Sequence, residues 1–236
     1  MTLMSQDDVR PFAFMRLTHE AIRVGLEELP KAFADAAANG VTPDAAVAEF
    51  RRLLRLIELH TTQEDAGLYP LVDKHFDGAA DKEGYVAEHE TLHSGHAELE
   101  AMVGGDLSGA RLEAASAAVA TWAQEMEEHL QHEERVLQPL LSKLTADLPA
   151  ACQSVHGIID VANRDETERW QVGDIAQSLE RGRPFGKLHK FVLALQHSST
   201  ELEYERMKAT LRRSLSDPTW EKLSEAGALT AGRLRS

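Results

Sequence analysis

Apolar residues recur along residues 1–145 with alternating spacings of three and four, the pattern of helices that each bury one face. In the first stretch Phe12, Met15, His19, Ile22, Leu26, Leu29 and Phe33 share a stripe; in the second, Phe50, Leu53, Ile57, His60, Glu64 and Leu71 do. A third stripe runs through Val86, His89, His93, His96, Leu99 and Val103. The fourth is the cleanest: Leu112, Ala115, Val119, Trp122, Met126, His129, Glu133, Val136 and Leu140. Punctuation separates the four. Asn39-Gly40 closes the first, Thr42-Pro43 offers a cap and an N1 proline to the second, and Gly78 precedes the third. Gly104-Gly105 follows the third, and Ser108 caps the fourth. Helices are predicted near 8–38, 43–76, 82–103 and 108–145, with no strand-like alternation anywhere. The expected fold is all-α, an antiparallel up-down four-helix bundle with an additional C-terminal helical region.

Residues 146–236 form that extension, with helices expected around 150–181, 185–214 and 218–230. Arg181-Gly182-Arg183-Pro184 is a break, and Asp217-Pro218 starts the last helix with a proline in its first turn. Its role is open at this stage: it can cover one end of the bundle, join two copies of the chain into a homo-oligomer, or receive a signal from the bundle.

The polar residues on the stripes carry the chemistry. His60-Thr-Thr-Gln-Glu64-Asp65-x-x-Leu68-x-Pro70 is echoed position for position by His129-Leu-Gln-His-Glu133-Glu134-x-x-Leu137-x-Pro139. Upstream of each stands a His-Glu pair, His19-Glu20 and His89-Glu90, at 41 and 40 residues respectively. Residues four apart share a helix face, so each His-x-x-x-Glu aims a nitrogen and a carboxylate oxygen at one point. Because these positions are on the buried seam, Glu64 and Glu133 need a cation; an unpartnered buried carboxylate is very costly. Two such halves facing one another can bind two metal ions. Pro70 and Pro139, six residues beyond each glutamate, are expected to bend their helices.

Composition narrows the setting. The formal charge of -14 lies entirely in residues 1–146, with 12 Lys+Arg against 26 Asp+Glu; residues 147–236 hold 13 of each. Such an acidic bundle repels phosphate backbones, which argues against nucleic-acid binding. No apolar run approaches the roughly 18 residues of a membrane span, and the N-terminus lacks the basic and apolar regions of a secretory signal. The single Cys152 excludes an intrachain disulfide. A cytoplasmic location follows as the expectation.

With these residues in view, the chain resembles the hemerythrin-like (HHE cation-binding) family over about residues 8–145. The family includes myohemerythrin, an up-down four-helix bundle. The resemblance implies a non-haem di-iron centre with five histidines, two bridging carboxylates and an oxo or hydroxo bridge. Carried onto this chain, one iron takes His19 and His60, the other takes His89, His93 and His129, and Glu64 and Glu133 bridge them. Aligning the halves sets Arg23 opposite His93, so only the second half has a fifth histidine. The iron with two histidines then keeps an open position for dioxygen, nitric oxide or peroxide. Ile22, Leu26, Trp122 and Met126 form an apolar wall beside it. Oxygen-carrying members have an aspartate five residues after the fourth-helix histidine; here the repeat favours Glu133, at four, over Glu134.

Other metal readings fit less well. Ferritin-like bundles need two Glu-x-x-His motifs, and only Glu90-Thr-Leu-His93 qualifies. No His-Asp dipeptide of the phosphohydrolase kind occurs. His96 is read as a packed core residue, and His75 and His132 as surface residues. His197-Ser-Ser-Thr-Glu201 repeats the ligand spacing but lacks companions. The expected function is binding, storage or sensing of a small ligand such as O2 or NO; the alternative is a di-iron oxidase, oxygenase or peroxide- or NO-consuming enzyme.

Overall fold

The computed structural model describes residues 13–147, 166–199 and 201–230, whose regular structure is all helical, with no strand. The chain divides into two compact units, Ile22–Leu137 and the described residues of Met1–Ala21 with Gln138–Ser236. Two helices run through the divisions. Helix α1 spans Ala13–Asn39 and α6 spans Ala110–Asp147.

Within Ile22–Leu137, α1 is followed by α2 (Asp44–Gln63), a π-helical turn (Glu64–Leu68), α3 (Tyr69–His75), the short α4 (Ala79–Glu83) and α5 (Tyr85–Val103). The end of α1 follows from Gly40, whose positive φ of 62° allows the Val41 amide to reach back to the Ala36 carbonyl at 3.1 Å. All the described seam residues expected of α1 are buried, from Met15 to Phe33; Phe12 lies outside the described residues. Gly25 lets Leu53 of α2 approach so closely that a Cβ would stand 2.7 Å from its side chain. Arg23 of α1 donates to Glu127 (2.9 Å) and Glu134 (2.7 Å) of α6.

Three expectations shift. Gly78 does not start the third long helix: it starts α4, and Gly84, at φ 78°, starts α5. Tyr85 therefore takes the first buried position of α5, and Val86 is exposed. Past the π turn the buried residue is Val72 instead of Leu71, because one extra residue in the turn advances the helix face by one place. Late in α6, Leu137 and Leu141 are buried instead of Val136 and Leu140. A straight helix has 3.6 residues per turn, so it drifts by about 20° per heptad away from a strict seven-residue pattern.

The C-terminal helices are α7 (Glu166–Gly182), α8 (Phe185–Ser198), α9 (Glu201–Ser214) and α10 (Asp217–Glu225). The expected 185–214 helix is thus two. Ser199 is extended (φ -120°, ψ 153°), and serine is a residue type that disfavours a helix interior. The first part of the expected 150–181 helix and the side chain of His197 lie outside the described residues. Helices α7, α8 and α9 pack on one another through Val172, Ile175, Leu179, Phe191, Leu195 and Leu211. Gly173 makes the closest approach, since a Cβ there would sit 2.5 Å from the Ser214 hydroxyl. In the same unit Glu20 of α1 accepts from Arg183 (2.8 Å) and Lys187 (2.6 Å). No helix of the described residues is long and apolar enough to cross a membrane.

Candidate metal centre

The end of α2 and the start of the π turn bring His60 and Glu64 together, Nε2 to Oε1 at 3.2 Å, and α6 does the same for His129 and Glu133 at 3.5 Å. Both pairs are buried, with Glu133 at 0% exposure. His89 enters from α5. Its Nε2 is 3.0 Å from the His129 Nε2 and 3.9 Å from the Glu64 carboxylate. Ligand atoms of His89, His129 and Glu133 lie within 4.8 Å of one another, as do those of His60, Glu64 and Glu133. Glu133 therefore belongs to both groups. His19 is fully buried on α1, three residues before that helix passes into the unit holding the other six residues.

The rings are oriented from behind. His89 Nδ1 donates to Asp65 at 2.8 Å, and His129 Nδ1 lies 3.3 Å from Glu88. At His89 the hydrogen-bonded carboxylate favours the Nδ1–H tautomer and leaves the Nε2 lone pair facing inward. The two Nε2 atoms, 3.0 Å apart, are close enough to share one proton or to face one cation together. The carboxylates carry the same message. Burial pushes Glu64 well above the usual carboxylate range, and the charges of Glu133 and Asp65 push it further. Burial also raises Glu133; the Tyr69 hydrogen bond opposes this, and Glu88, Glu134 and Asp65 reinforce it. Burial lowers His89, against the pull of Asp65. Neutral imidazoles and carboxylates brought together in this way are the donor set of a transition-metal site, and a metal would displace the protons that burial favours.

His93 is placed differently. It is half-buried, its ring stacks 6.4 Å from that of His89, and its Nε2 is 2.9 Å from the Thr61 hydroxyl. Thr61 donates to the Glu58 carbonyl, so it accepts from His93. His96 is buried as expected, with burial and the neighbouring His93 and His89 lowering it to about 4, so the ring is neutral. His75 is exposed; His132 is quarter-exposed and pairs with Glu83 and Glu88 at 3.3 and 3.5 Å.

Tyr69 is the residue that helical periodicity missed. Its hydroxyl donates a short hydrogen bond to Glu133 and lies 3.1 Å from His89 Nε2. Five residues after Glu64, it would point well away from that carboxylate on an α-helix. The π turn closes with the Tyr69 amide bonded to the Glu64 carbonyl, and this wider turn brings i and i+5 onto one face. Pro70, which cannot donate to the Ala66 carbonyl, stands directly after that turn. A proline six residues past a buried glutamate was the available signal. Pro139 carries the same signal, yet α6 passes through it as α-helix.

These features define an all-helical protein with a buried cluster of histidines and carboxylates suited to a cation. The chain matches the family model described as hemerythrin, hemerythrin HHE cation binding domain, over residues 10–181, and it belongs to that family. The match continues beyond residue 145 and takes in nearly all of α7. No curated protein and no solved structure matches the chain.

Proposed function

We propose that this chain holds two iron ions bridged by Glu64 and Glu133, in a non-haem centre that binds a small ligand such as dioxygen, nitric oxide or peroxide. His19 and His60 would serve one ion; His89, His93 and His129 would serve the other. The observation that carries the reading is the convergence of the His89 and His129 Nε2 atoms, 3.0 Å apart, beside a carboxylate shared by two ligand groups. Membership of a cation-binding family supports it, and the full burial of His19 at the position matching His89 supports its place in the set. His93 would exchange its Thr61 hydrogen bond for the ion.

An iron pair supplies a Lewis-acidic, redox-active position; the protein supplies its surroundings. Asp65 holds the imidazole of His89 in the tautomer that ligates, and the Glu88 carboxylate lies 3.3 Å from the Nδ1 of His129. Tyr69 fixes the Glu133 carboxylate. Ile22, Leu26, Trp122 and Met126, all buried, line the seams of α1 and α6 with apolar surface. The ion held by His19 and His60, with one histidine fewer, would keep a position for the ligand.

The test is the absorption spectrum of iron-loaded protein, oxidised and reduced, in air and under nitric oxide, beside its iron content. About two irons per chain and a stable, reversible ligand adduct are expected. A single zinc, or no metal after anaerobic iron loading, would overturn the reading. Rapid consumption of the ligand with two irons bound would make the same centre that of a di-iron oxidase or peroxide- or NO-consuming enzyme.

A further inference from the structure

His96 and Trp122 hold polar atoms where the chain's own repeat holds leucines. Aligned on the His-Glu pairs, His96 corresponds to Leu26; aligned on the His-x-x-x-Glu motifs, Trp122 corresponds to Leu53. All four positions are buried, at 2%, 6%, 5% and 0% exposure respectively. The first half therefore carries buried apolar side chains at both matched positions.

In the second half, neither ring nitrogen of His96 has a hydrogen-bond partner among the described residues, and neither does the indole Nε1 of Trp122. The rings meet edge to face, with centroids 5.7 Å apart and planes at 77°. A neutral imidazole offers one N–H and one lone pair, and an indole offers one N–H. Buried polar atoms in folded proteins almost always find a partner, and where no protein group serves, an ordered small molecule does. His96 is also the next histidine after His93 on the same face of α5, 5.7 Å between ring centroids.

We propose that the His96–Trp122 pair is a binding site for a water-sized hydroxylic molecule, one that both accepts and donates a hydrogen bond, with water and hydrogen peroxide as the two members of the class. The guest accepts from the Trp122 indole N–H and exchanges a hydrogen bond with His96. Its seat beside His93 puts it next to a residue assigned above to iron, and only that neighbourhood rests on the metal reading.

The test uses nuclear magnetic resonance on the full chain, metal-free and zinc-loaded. The Trp122 indole proton should show cross-relaxation with a long-lived bound water, and His96 should show one fixed tautomer. In His96→Leu, which copies Leu26, the water cross-peak should be lost. In Trp122→Phe, the His96 nitrogen shifts should move while the fold is retained. Hydrogen peroxide added to the wild type distinguishes the guests: a saturating shift of the Trp122 indole signal, without one at Trp170 or Trp220, identifies peroxide. A water cross-peak with no peroxide response identifies water. A Trp122 indole proton that senses neither, with a His96 signal averaged between tautomers, would overturn the proposal and leave a dry aromatic pair. Failure of zinc to bind would count against the metal reading alone, since the guest is expected in metal-free protein too.

Discussion

Aligned on their repeated motifs, α1 and α2 carry Arg23, Leu26 and Leu53 where α5 and α6 carry His93, His96 and Trp122. The ligand positions match, and the surroundings do not. Arg23 binds Glu127 and Glu134, so the carboxylate that follows Glu133 is engaged in joining α1 to α6. Asp65, its counterpart after Glu64, instead holds the His89 ring. Tyr69 reaches into the cluster on a π turn, whereas its counterpart Gln138 follows an unbroken stretch of α-helix. The two halves thus share a pattern of ligand positions and differ in the groups that orient and flank the ligands. Substitutions at matched positions should therefore have unequal effects.

The largest inequality is expected between adjacent carboxylates. Glu133→Ala should abolish the paired site, lowering metal content from about two ions per chain to one or none. Glu134→Ala should leave metal content unchanged and loosen only the Arg23 contact. Elemental analysis of both variants decides it; the reverse result would show that the bridging carboxylate is Glu134 and that the repeat alignment is displaced by one residue.

Next come the groups behind the ligands. Asp65→Asn should weaken metal binding by about 10- to 100-fold, the usual cost of removing a carboxylate that orients a ligating histidine. Competition with a chelator measures this. An unchanged affinity would mean that the His89 tautomer is set by something other than the 2.8 Å contact to Asp65. Tyr69→Phe should cost about 1–3 kcal/mol of stability in the metal-free protein, because it leaves a buried Glu133 oxygen without its donor. Gln138→Ala, at the matched position, should change the denaturation midpoint little.

These contrasts show how far the chain could be read in advance. The α1 seam from Met15 to Phe33 and the burial of His60, Glu64, His89, His129 and Glu133 follow from spacing alone, because a regular helix repeats its face. Spacing fails where the helix is not regular. The π turn exchanges Leu71 for Val72 and brings in Tyr69, and the drift of a 3.6-residue helical turn against a seven-residue pattern exchanges Val136 for Leu137. Thr61 was invisible for another reason: its partnership with His93 crosses from α2 to α5, and periodicity within one helix cannot show it. The break at Ser199 does not show in the apolar pattern, which continues on either side of it.

The smallest expected effect concerns Glu20 and Glu90, which follow His19 and His89 in the repeat. Glu90 is exposed, while Glu20 accepts from Arg183 and Lys187 at 2.8 and 2.6 Å. Burial disfavours the charged Glu20 carboxylate, but Lys187 and Arg183 outweigh it and hold the group below the usual carboxylate range. A carboxylate whose folded pKa is depressed stabilises the protein above its ordinary titration range, and that contribution is lost as pH falls through the folded value. Glu20→Gln should therefore cost about 1 kcal/mol at neutral pH, no more than a partly solvated ion pair supplies. The difference from wild type should shrink at high salt and vanish under acid conditions, while Glu90→Gln, at an exposed position, should cost less at neutral pH. Thermal denaturation of both variants across pH and salt measures this. Equal effects at the two positions would mean that the contact with Arg183 and Lys187 contributes nothing specific, and that Glu20, like Glu90, is an ordinary solvated residue.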